Sequence, residues 1–190
     1  IPRADILPFD EYAASRRERK KALTEMKKNR RMEVGPHATF YFESYETVWN
    51  QIHEMLYIER GGENQIPDEL VAYNPLIPQG RELVATVMFE IGNADRRAKV
   101  LANLGGVEET ISITVGGDKI RGVAETDVDR TTDDGKASSV QFVHFPFTDA
   151  QADAFRQSEA DVIVGFSHEN YSHMAGMTGA VRAALAKDFD

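Results

Sequence analysis

The chain has 190 residues, no cysteine and a formal net charge of −9. The missing cysteine excludes disulfides, a thiol nucleophile and thiolate metal sites, and no apolar run approaches the ~20 residues of a membrane span. Because the first residues show no basic-then-apolar signal pattern, we expect a folded cytoplasmic protein with no membrane partner.

The charge is distributed unevenly along the chain. Residues 1–35 carry ten Lys or Arg and six Asp or Glu, whereas the remainder carries twelve basic and twenty-five acidic residues. The balance is therefore +4 on the first segment and −13 on the rest. A basic segment on an acidic body predicts docking within the chain or a charged partner.

The predicted elements begin with a long helix over residues 9–32, rich in good helix formers and ended by Gly35-Pro36. An alternating run predicts a strand over 37–43, and Ser44 caps a second helix that ends at Gly61-Gly62. A short helix over 67–73 and a proline-rich loop follow. The second half predicts strands over 82–91, 107–115, 119–122, 138–145 and 160–166, with helices over 94–104, 148–158 and 178–188.

These elements predict an α+β fold in a single domain over 1–190. Long N-terminal helices (1–62) would pack on a mostly antiparallel sheet (82–190) with C-terminal helices. The stretch 125–136 predicts an exposed acidic loop. Its spacing lacks the later bidentate Glu of a calcium loop, which favours a solvated loop over a calcium site at Asp127, Asp129, Asp133 and Asp134.

The first helix places three arginines on its only apolar stripe. At about 100° per residue, one face carries Tyr12, Arg16, Arg19, Leu23, Met26 and Arg30. Their aliphatic stems could pack while the guanidiniums reach solvent. Alternatively, the guanidiniums face carboxylates elsewhere in the fold or an anionic ligand.

The second helix offers matching carboxylates. Glu59 shares a stripe with Ile52 and Leu56, and Glu43 directly precedes the helix. A carboxylate on a core-facing stripe needs a cation or a metal. We therefore expect Glu43 or Glu59 to pair with one of the three arginines of the first helix across a helix–helix contact. The contact would be either a structural ion pair or a ligand site. The three arginines are Arg16, Arg19 and Arg30.

Histidines give a weaker signal. His168 and His173 are five residues apart, or 140° on a helix, so they could share a metal only from a loop. The surrounding glycines favour such a loop. The alternative is a surface or hydrogen-bonding role. The candidate ligands for a transition metal are His53, Glu54, His168 and His173.

Known catalytic motifs are missing: the sequence has no phosphate-binding glycine loop and no Gly-x-Ser-x-Gly. The basic residues between 16 and 31 are not interleaved with aromatic residues, so single-stranded nucleic acid would lack a stacking platform. A nucleic-acid partner is therefore disfavoured.

Several segments resemble an uncharacterised bacterial family, the domain of unknown function DUF3501. The resemblance spans nearly the whole chain, and the spacing between the segments fits as well. The resembling segments are Asp5-Ile6-Leu7, Glu11-Tyr12, 16–31, Gly35-Pro36, Phe42-Glu43, 51–56, Ile58-Glu59, 73–78, 138–142 and 168–171. One departure is the late motif, where the family has His-Pro-x-Tyr and this chain has His168-Glu169-Asn170-Tyr171.

The resemblance implies a role near peroxide handling or electron transfer, because genes of this family lie beside those of rubrerythrin-like and iron–sulfur oxidoreductase proteins. It supplies no catalytic residues. Three hypotheses follow: an accessory or interaction protein with a protein partner in a redox system; a metal- or ligand-dependent enzyme that uses a Glu/His cluster; and a nucleic-acid-responsive regulator that acts through the basic helix.

Overall fold

The computed structural model describes residues 1–125, 131–132, 135–157 and 159–189, so Asp127, Asp129, Asp133 and Asp134 of the predicted acidic loop lie outside the described residues. Within these ranges the chain forms six α-helices and nine strands, which confirms the α+β class. The helices are α1 (Phe9–Lys27), α2 (Tyr45–Glu59), α3 (Ile66–Tyr73), α4 (Ala94–Leu101), α5 (Asp149–Arg156) and α6 (Gly179–Leu185). The strands are β1 (Arg31–Val34), β2 (Ala38–Phe42), β3 (Glu82–Phe89), β4 (Ile111–Val115), β5 (Asp118–Arg121), β6 (Val123–Ala124), β7 (Val140–Pro146), β8 (Val162–His168) and β9 (Tyr171–Gly176).

The strands form two antiparallel sheets that share one core. The first sheet has the order β1-β2-β3-β7-β6 and the second the order β5-β4-β8-β9. Phe40 and Phe89 of the first sheet contact Phe166 of the second, with ring centroids 5.3 and 5.9 Å apart. Phe155 of α5 and Leu185 of α6 join the same buried cluster. The two inner faces therefore pack as a sandwich.

Tyr171 on the edge strand β9 connects the second sheet to the β1–β2 hairpin of the first. Its hydroxyl donates to the carbonyl oxygen of Val34 at 2.8 Å and accepts from the N–H groups of His37 and Ala38, each at 3.0 Å. Burial raises the pKa of the Tyr171 phenol. One side chain thus satisfies three backbone groups at this junction of the two sheets.

A helical layer covers the outer face of the five-stranded sheet. Val48 and Ile52 of α2, together with Leu76 after α3, form a second apolar cluster with Val84 of β3. Because α2 lies between this sheet and α1, it is buried on two sides. Among the described residues, no helix has both the length and the apolar character needed to cross a membrane.

Local sequence sets the ends of α2. The Ser44 side chain accepts from the N–H of Thr47, and the Thr47 hydroxyl accepts from the N–H of Ser44, which forms a capping box. Thr47 thus takes the place that Glu usually holds in this motif. The helix ends where Arg60 adopts a left-handed conformation with φ 55°. The predicted extent of this helix is confirmed.

The first helix is shorter than predicted. α1 ends at Lys27, and residues 31–34 form β1, which pairs with β2. Gly35 therefore lies in the hairpin turn rather than at a helix end. Its φ is +73°, and an added Cβ would lie 2.6 Å from Cγ of His173, so the turn requires glycine. Strand pairing with β2 outweighs the helix propensity of residues 28–32.

Candidate functional site

The contact between α1 and α2 centres on the carboxylate of Glu54. The Tyr12 hydroxyl donates to Oε1 at 2.7 Å, and Arg16 binds both oxygens at 2.8 and 2.9 Å. Nζ of Lys20 lies 2.7 Å from Oε2. The Arg16 guanidinium, assisted by Lys20 and Tyr12, lowers the pKa of Glu54 to about 2 against opposing burial. The carboxylate is therefore ionised at neutral pH and holds α1 against α2.

The predicted contact between arginine and carboxylate exists, but with a different acid. Arg16 pairs with Glu54, whereas the sequence analysis named Glu43 and Glu59. Glu59 is exposed and accepts from Nε2 of Gln65 at 2.8 Å. The prediction of the acid was wrong because α2 has a second buried side, toward α1, and Glu54 lies on that side.

Arg19 contacts an aromatic ring instead of a carboxylate. Its Cζ lies 4.8 Å from the ring centroid of Trp49 on α2. Its Nε donates to Oγ of Ser15 at 2.9 Å. Arg19 therefore contributes a cation–π contact to the α1–α2 interface, which corrects its predicted pairing with an acid.

His53 is buried in the same interface and both of its ring nitrogens are engaged. Nε2 accepts from the N–H of Leu7 at 3.0 Å, and Nδ1 lies 2.8 Å from the carbonyl oxygen of Trp49. Because a backbone N–H only donates and a carbonyl only accepts, Nδ1 carries the proton. Burial lowers the pKa of His53. Neither nitrogen offers a free lone pair to a metal, so His53 is structural.

The segment from His168 to His173 is a β-hairpin rather than the predicted loop. His168 pairs with Tyr171 across the turn. Nε2 of His168 lies 3.1 Å from the carbonyl oxygen of Gly105, and its Nδ1 accepts from the N–H of Asn170 at 3.1 Å. The His173 ring packs against the Tyr171 ring, with centroids 4.6 Å apart. The two histidines thus contact different neighbours.

The four candidate metal ligands consequently do not form one centre. Within the described ranges, no group of three His, Asp or Glu side chains could hold a metal ion. The imidazoles of His53 and His168 each bond the backbone through both nitrogens, and the Glu54 carboxylate is engaged by two cations and a phenol. These residues do not fit a transition-metal cofactor.

Arg30 is buried just beyond the end of α1. Its Nε donates to the carbonyl oxygen of Phe42 at 3.0 Å, and its Nη2 donates to that of Glu43 at 2.6 Å. The guanidinium also pairs with Asp188 at 3.1 and 2.5 Å. Arg30 therefore contacts the backbone of Glu43, and the acid that it pairs with comes from the C-terminal segment.

The carboxylate of Glu43 lines a cleft of about 360 Å³ on the outer face of the five-stranded sheet. Its Oε1 accepts from the Thr86 hydroxyl at 2.6 Å, and its Oε2 accepts from the Thr47 hydroxyl. α2 and the end of α3 border the cleft. The cleft is also lined by Lys27, Tyr41, Gln51, Tyr73, Met88 and Phe142. Glu43 is the predicted carboxylate that faces a cavity of ligand size.

Comparison with known proteins identifies the family. Residues 1–189 match the model of the family described as "Protein of unknown function (DUF3501)". The chain belongs to the DUF3501 family. This DUF3501 protein is similar to a crystal structure described as a novel protein of unknown function from Burkholderia pseudomallei K96243. That likeness has a TM-score of 0.92 and 34% sequence identity, and it covers 100% of this chain and 99% of that one. No curated protein matches the chain.

One cluster of titratable groups in this DUF3501 protein has no signal in the sequence. Nδ1 of His144 lies 3.0 Å from Oε2 of Glu82, and its Nε2 lies 3.3 Å from Oε1 of Glu125. The hydrogen bond that His144 donates to Glu82, followed by the one that it donates to Glu125, raises the pKa of His144 above its ordinary value. The three residues are far apart in sequence, and only the pairing of β7 with β3 and β6 brings them together.

We expect His144→Gln to remove a pH-dependent part of the stability. Because the pKa of His144 is raised in the folded state, its contribution is complete below the unfolded value of about 6.5 and is lost as the pH rises through the folded pKa. The free energy of unfolding should fall by about 1 kcal/mol at about pH 6 and by clearly less at about pH 9. Urea denaturation at both pH values checks this, and an equal loss at both would contradict it.

Proposed function

We propose that this protein is a non-catalytic accessory protein that binds an acidic partner protein through the exposed side of α1. The supporting observation is a concentration of positive charge. Residues 16–31 contain nine Lys or Arg and two Asp or Glu, in a chain whose net charge is −9. Such a surface attracts a negatively charged partner and steers its approach.

The available charge lies along one line of the helix. Arg17, Lys21 and Lys28, here called the basic stripe, fall within about 40° of one another around the helix axis. All three are exposed. Of the described residues, none forms an ion pair with Arg17 or Lys21, and Lys28 pairs with Glu25 one turn away on the same helix. Arg17 and Lys21 are therefore available to contact a partner, and Lys28 could do so by exchanging its exposed pair with Glu25.

The inner side of α1 fixes the helix in place. Arg16, in the first half of α1, binds Glu54, and Arg30, just beyond the end of α1, binds Asp188. Both anchors use basic residues that face the body of the protein. The helix can therefore present the basic stripe without first becoming ordered, which reduces the entropic cost of binding.

The resemblance to DUF3501 supplies the proposed biological setting. It implies a partner among rubrerythrin-like or iron–sulfur oxidoreductase proteins in peroxide handling or electron transfer. Because the chain has no cysteine, it cannot bind an iron–sulfur cluster through its own thiolates. Redox chemistry in the complex would therefore use the cofactor of the partner.

The test is a reversal of charge on the basic stripe. The full-length chain, tagged at one end, is cross-linked in a nuclease-treated extract of a bacterium whose genome encodes a DUF3501 protein. We expect the variant Arg17→Glu/Lys21→Glu/Lys28→Glu to recover at least tenfold less of one acidic protein than the native chain. Binding by the native chain should weaken as ionic strength rises.

A matched variant separates the stripe from net charge. Lys119→Glu/Arg121→Glu/Lys136→Glu makes the same change in charge at exposed positions away from α1, and it should recover the partner as well as the native chain does. Equal loss in both variants, or no loss in either, would contradict the proposal. Binding that occurs only in a parallel extract without nuclease treatment would contradict the proposal and favour the nucleic-acid hypothesis.

A further inference from the structure

We propose that the cleft beside Glu43 binds the ammonium group of a small organic amine. The cleft lies on the outer face of the five-stranded sheet, and none of the three residues of the basic stripe lines it, although Lys27, the neighbour of Lys28, does. This site is therefore independent of the function proposed above. It rests on three features: an incompletely satisfied carboxylate, walls rich in aromatic and apolar side chains, and a volume suited to a small molecule.

The carboxylate of Glu43 retains acceptor capacity. An ionised carboxylate offers about four acceptor positions, and hydrogen bonds from Thr47 and Thr86 occupy two of them. Both donors are neutral hydroxyls. Within the part of the chain that the structure describes, no Lys, Arg or His forms an ion pair with this carboxylate, although Arg30 binds the backbone carbonyl of the same residue. The negative charge is therefore positioned but not neutralised by an ion pair.

The walls of the cleft favour an organic cation. Tyr41, Tyr73 and Phe142 are aromatic, and Met88 adds a polarisable thioether. The Tyr41 hydroxyl is already bonded to Glu90 at 2.8 Å, so the residue can offer its ring to a ligand. Aromatic faces combined with one carboxylate are the usual surroundings of bound ammonium groups.

Other ligand classes fit less well. Calcium and magnesium need about six or more oxygen ligands, whereas Glu43 is the one carboxylate among the described residues that line this cleft. An anion would meet the charge of Glu43. Lys27 and Arg30 also line the cleft. Arg30 pairs with Asp188, so Lys27 is the competing cation, although the described contacts do not join it to Glu43. A ligand amine would therefore have to outcompete the ammonium of Lys27.

Three probes of similar shape but different charge test the proposal on the full chain. Benzylamine is cationic at neutral pH, benzyl alcohol is neutral and benzoate is anionic. The chain contains six methionines, and labelled methyl groups allow NMR to report on Met88 inside the cleft. We expect benzylamine to shift the Met88 signal saturably, with a Kd of about 1 mM or tighter. Benzyl alcohol should bind at least tenfold more weakly, and benzoate should not bind.

Variants establish where the probe binds. Glu43→Gln should weaken benzylamine at least tenfold, whereas Glu33→Gln, an exposed acid on β1 outside the cleft, should have no effect. If Glu43→Gln perturbs the fold, Gln51→Trp at an exposed position of α2 narrows the cleft and should also weaken binding. The proposal is overturned if Glu43→Gln binds benzylamine as tightly as the native chain does. If Glu43→Gln is misfolded, the proposal is overturned when Gln51→Trp binds benzylamine as tightly as the native chain does.

Two further outcomes count against it. If benzoate or benzyl alcohol binds as tightly as benzylamine, the cleft does not select ammonium groups. If benzylamine binds only after Lys27→Met, the lysine already occupies the site and the native chain has no amine site. We expect instead that Lys27→Met leaves the affinity unchanged or modestly increases it.

Discussion

Replacing Glu54 by Gln is expected to lower the free energy of unfolding by about 2 kcal/mol. The side chain is 11% exposed and accepts hydrogen bonds from Tyr12, Arg16 and Lys20. A neutral amide would leave the partly buried guanidinium of Arg16 without its counter-charge. Because the exposed Lys20 can turn to solvent, the loss should come mainly from Arg16 and Tyr12.

Urea denaturation of the native and Glu54→Gln proteins measures this loss. The control is Glu59→Gln on the same helix, which should change the stability by less than about 0.5 kcal/mol because Glu59 is exposed. The pKa of Glu54 is lowered to about 2, so its contribution is present above its unfolded value of about 4.5 and is lost as the pH falls toward 2. A difference between native and variant that does not shrink with acid would contradict this account.

Tyr171→Phe is expected to lower the free energy of unfolding by about 3 kcal/mol although it removes one oxygen atom. The hydroxyl satisfies the carbonyl of Val34 and the N–H groups of His37 and Ala38. Tyr171 is 3% exposed, so water cannot readily replace the hydroxyl. All three backbone groups would lose a partner at the junction of β9 with the β1–β2 hairpin.

Hydrogen exchange gives a local readout beside the global stability. The amide protons of His37 and Ala38 should exchange faster in Tyr171→Phe, since the hairpin loses its contact with β9. Tyr45→Phe is the control, because Tyr45 is 42% exposed and its hydroxyl bonds Asp5 at the surface. It should change the stability by less than about 0.5 kcal/mol. Comparable losses in the two variants would mean that the junction has no special role.

The sequence was most informative where structure depends on neighbouring residues. The ends of α2 followed from Ser44 and from the glycines after Arg60, because capping acts over one helical turn. The sequence likewise predicted strands over 82–91 and 138–145, where the structure has β3 and β7. The DUF3501 resemblance rested on segments and on the spacing between them, and the family match over residues 1–189 confirms it.

The sequence was least informative where residues meet through strand pairing or helix packing. Residues 28–32 favour a helix, yet β1 starts at Arg31 because β2 offers it a partner. β9 was missed because its alternating serine, histidine and methionine lack a clear apolar face, so the His168–His173 segment was interpreted as a loop. The cluster of Glu82, His144 and Glu125 had no signal in the sequence, because only the pairing of β7 with β3 and β6 brings these residues together.

The basic character of α1 and the demand of its arginines for partners were determined by the sequence alone. Which partners they obtained was decided by the tertiary structure. A helical wheel with one buried stripe selects Glu59, but α2 is buried against both the sheet and α1, and the side toward α1 carries Glu54. Glu43 was named from the sequence, yet its position as a carboxylate in a cleft depends on Thr86, which the chain reaches only through the pairing of β2 with β3. Charge and propensity belong to single residues, whereas a site requires several residues to converge, and only the packed fold brings them together.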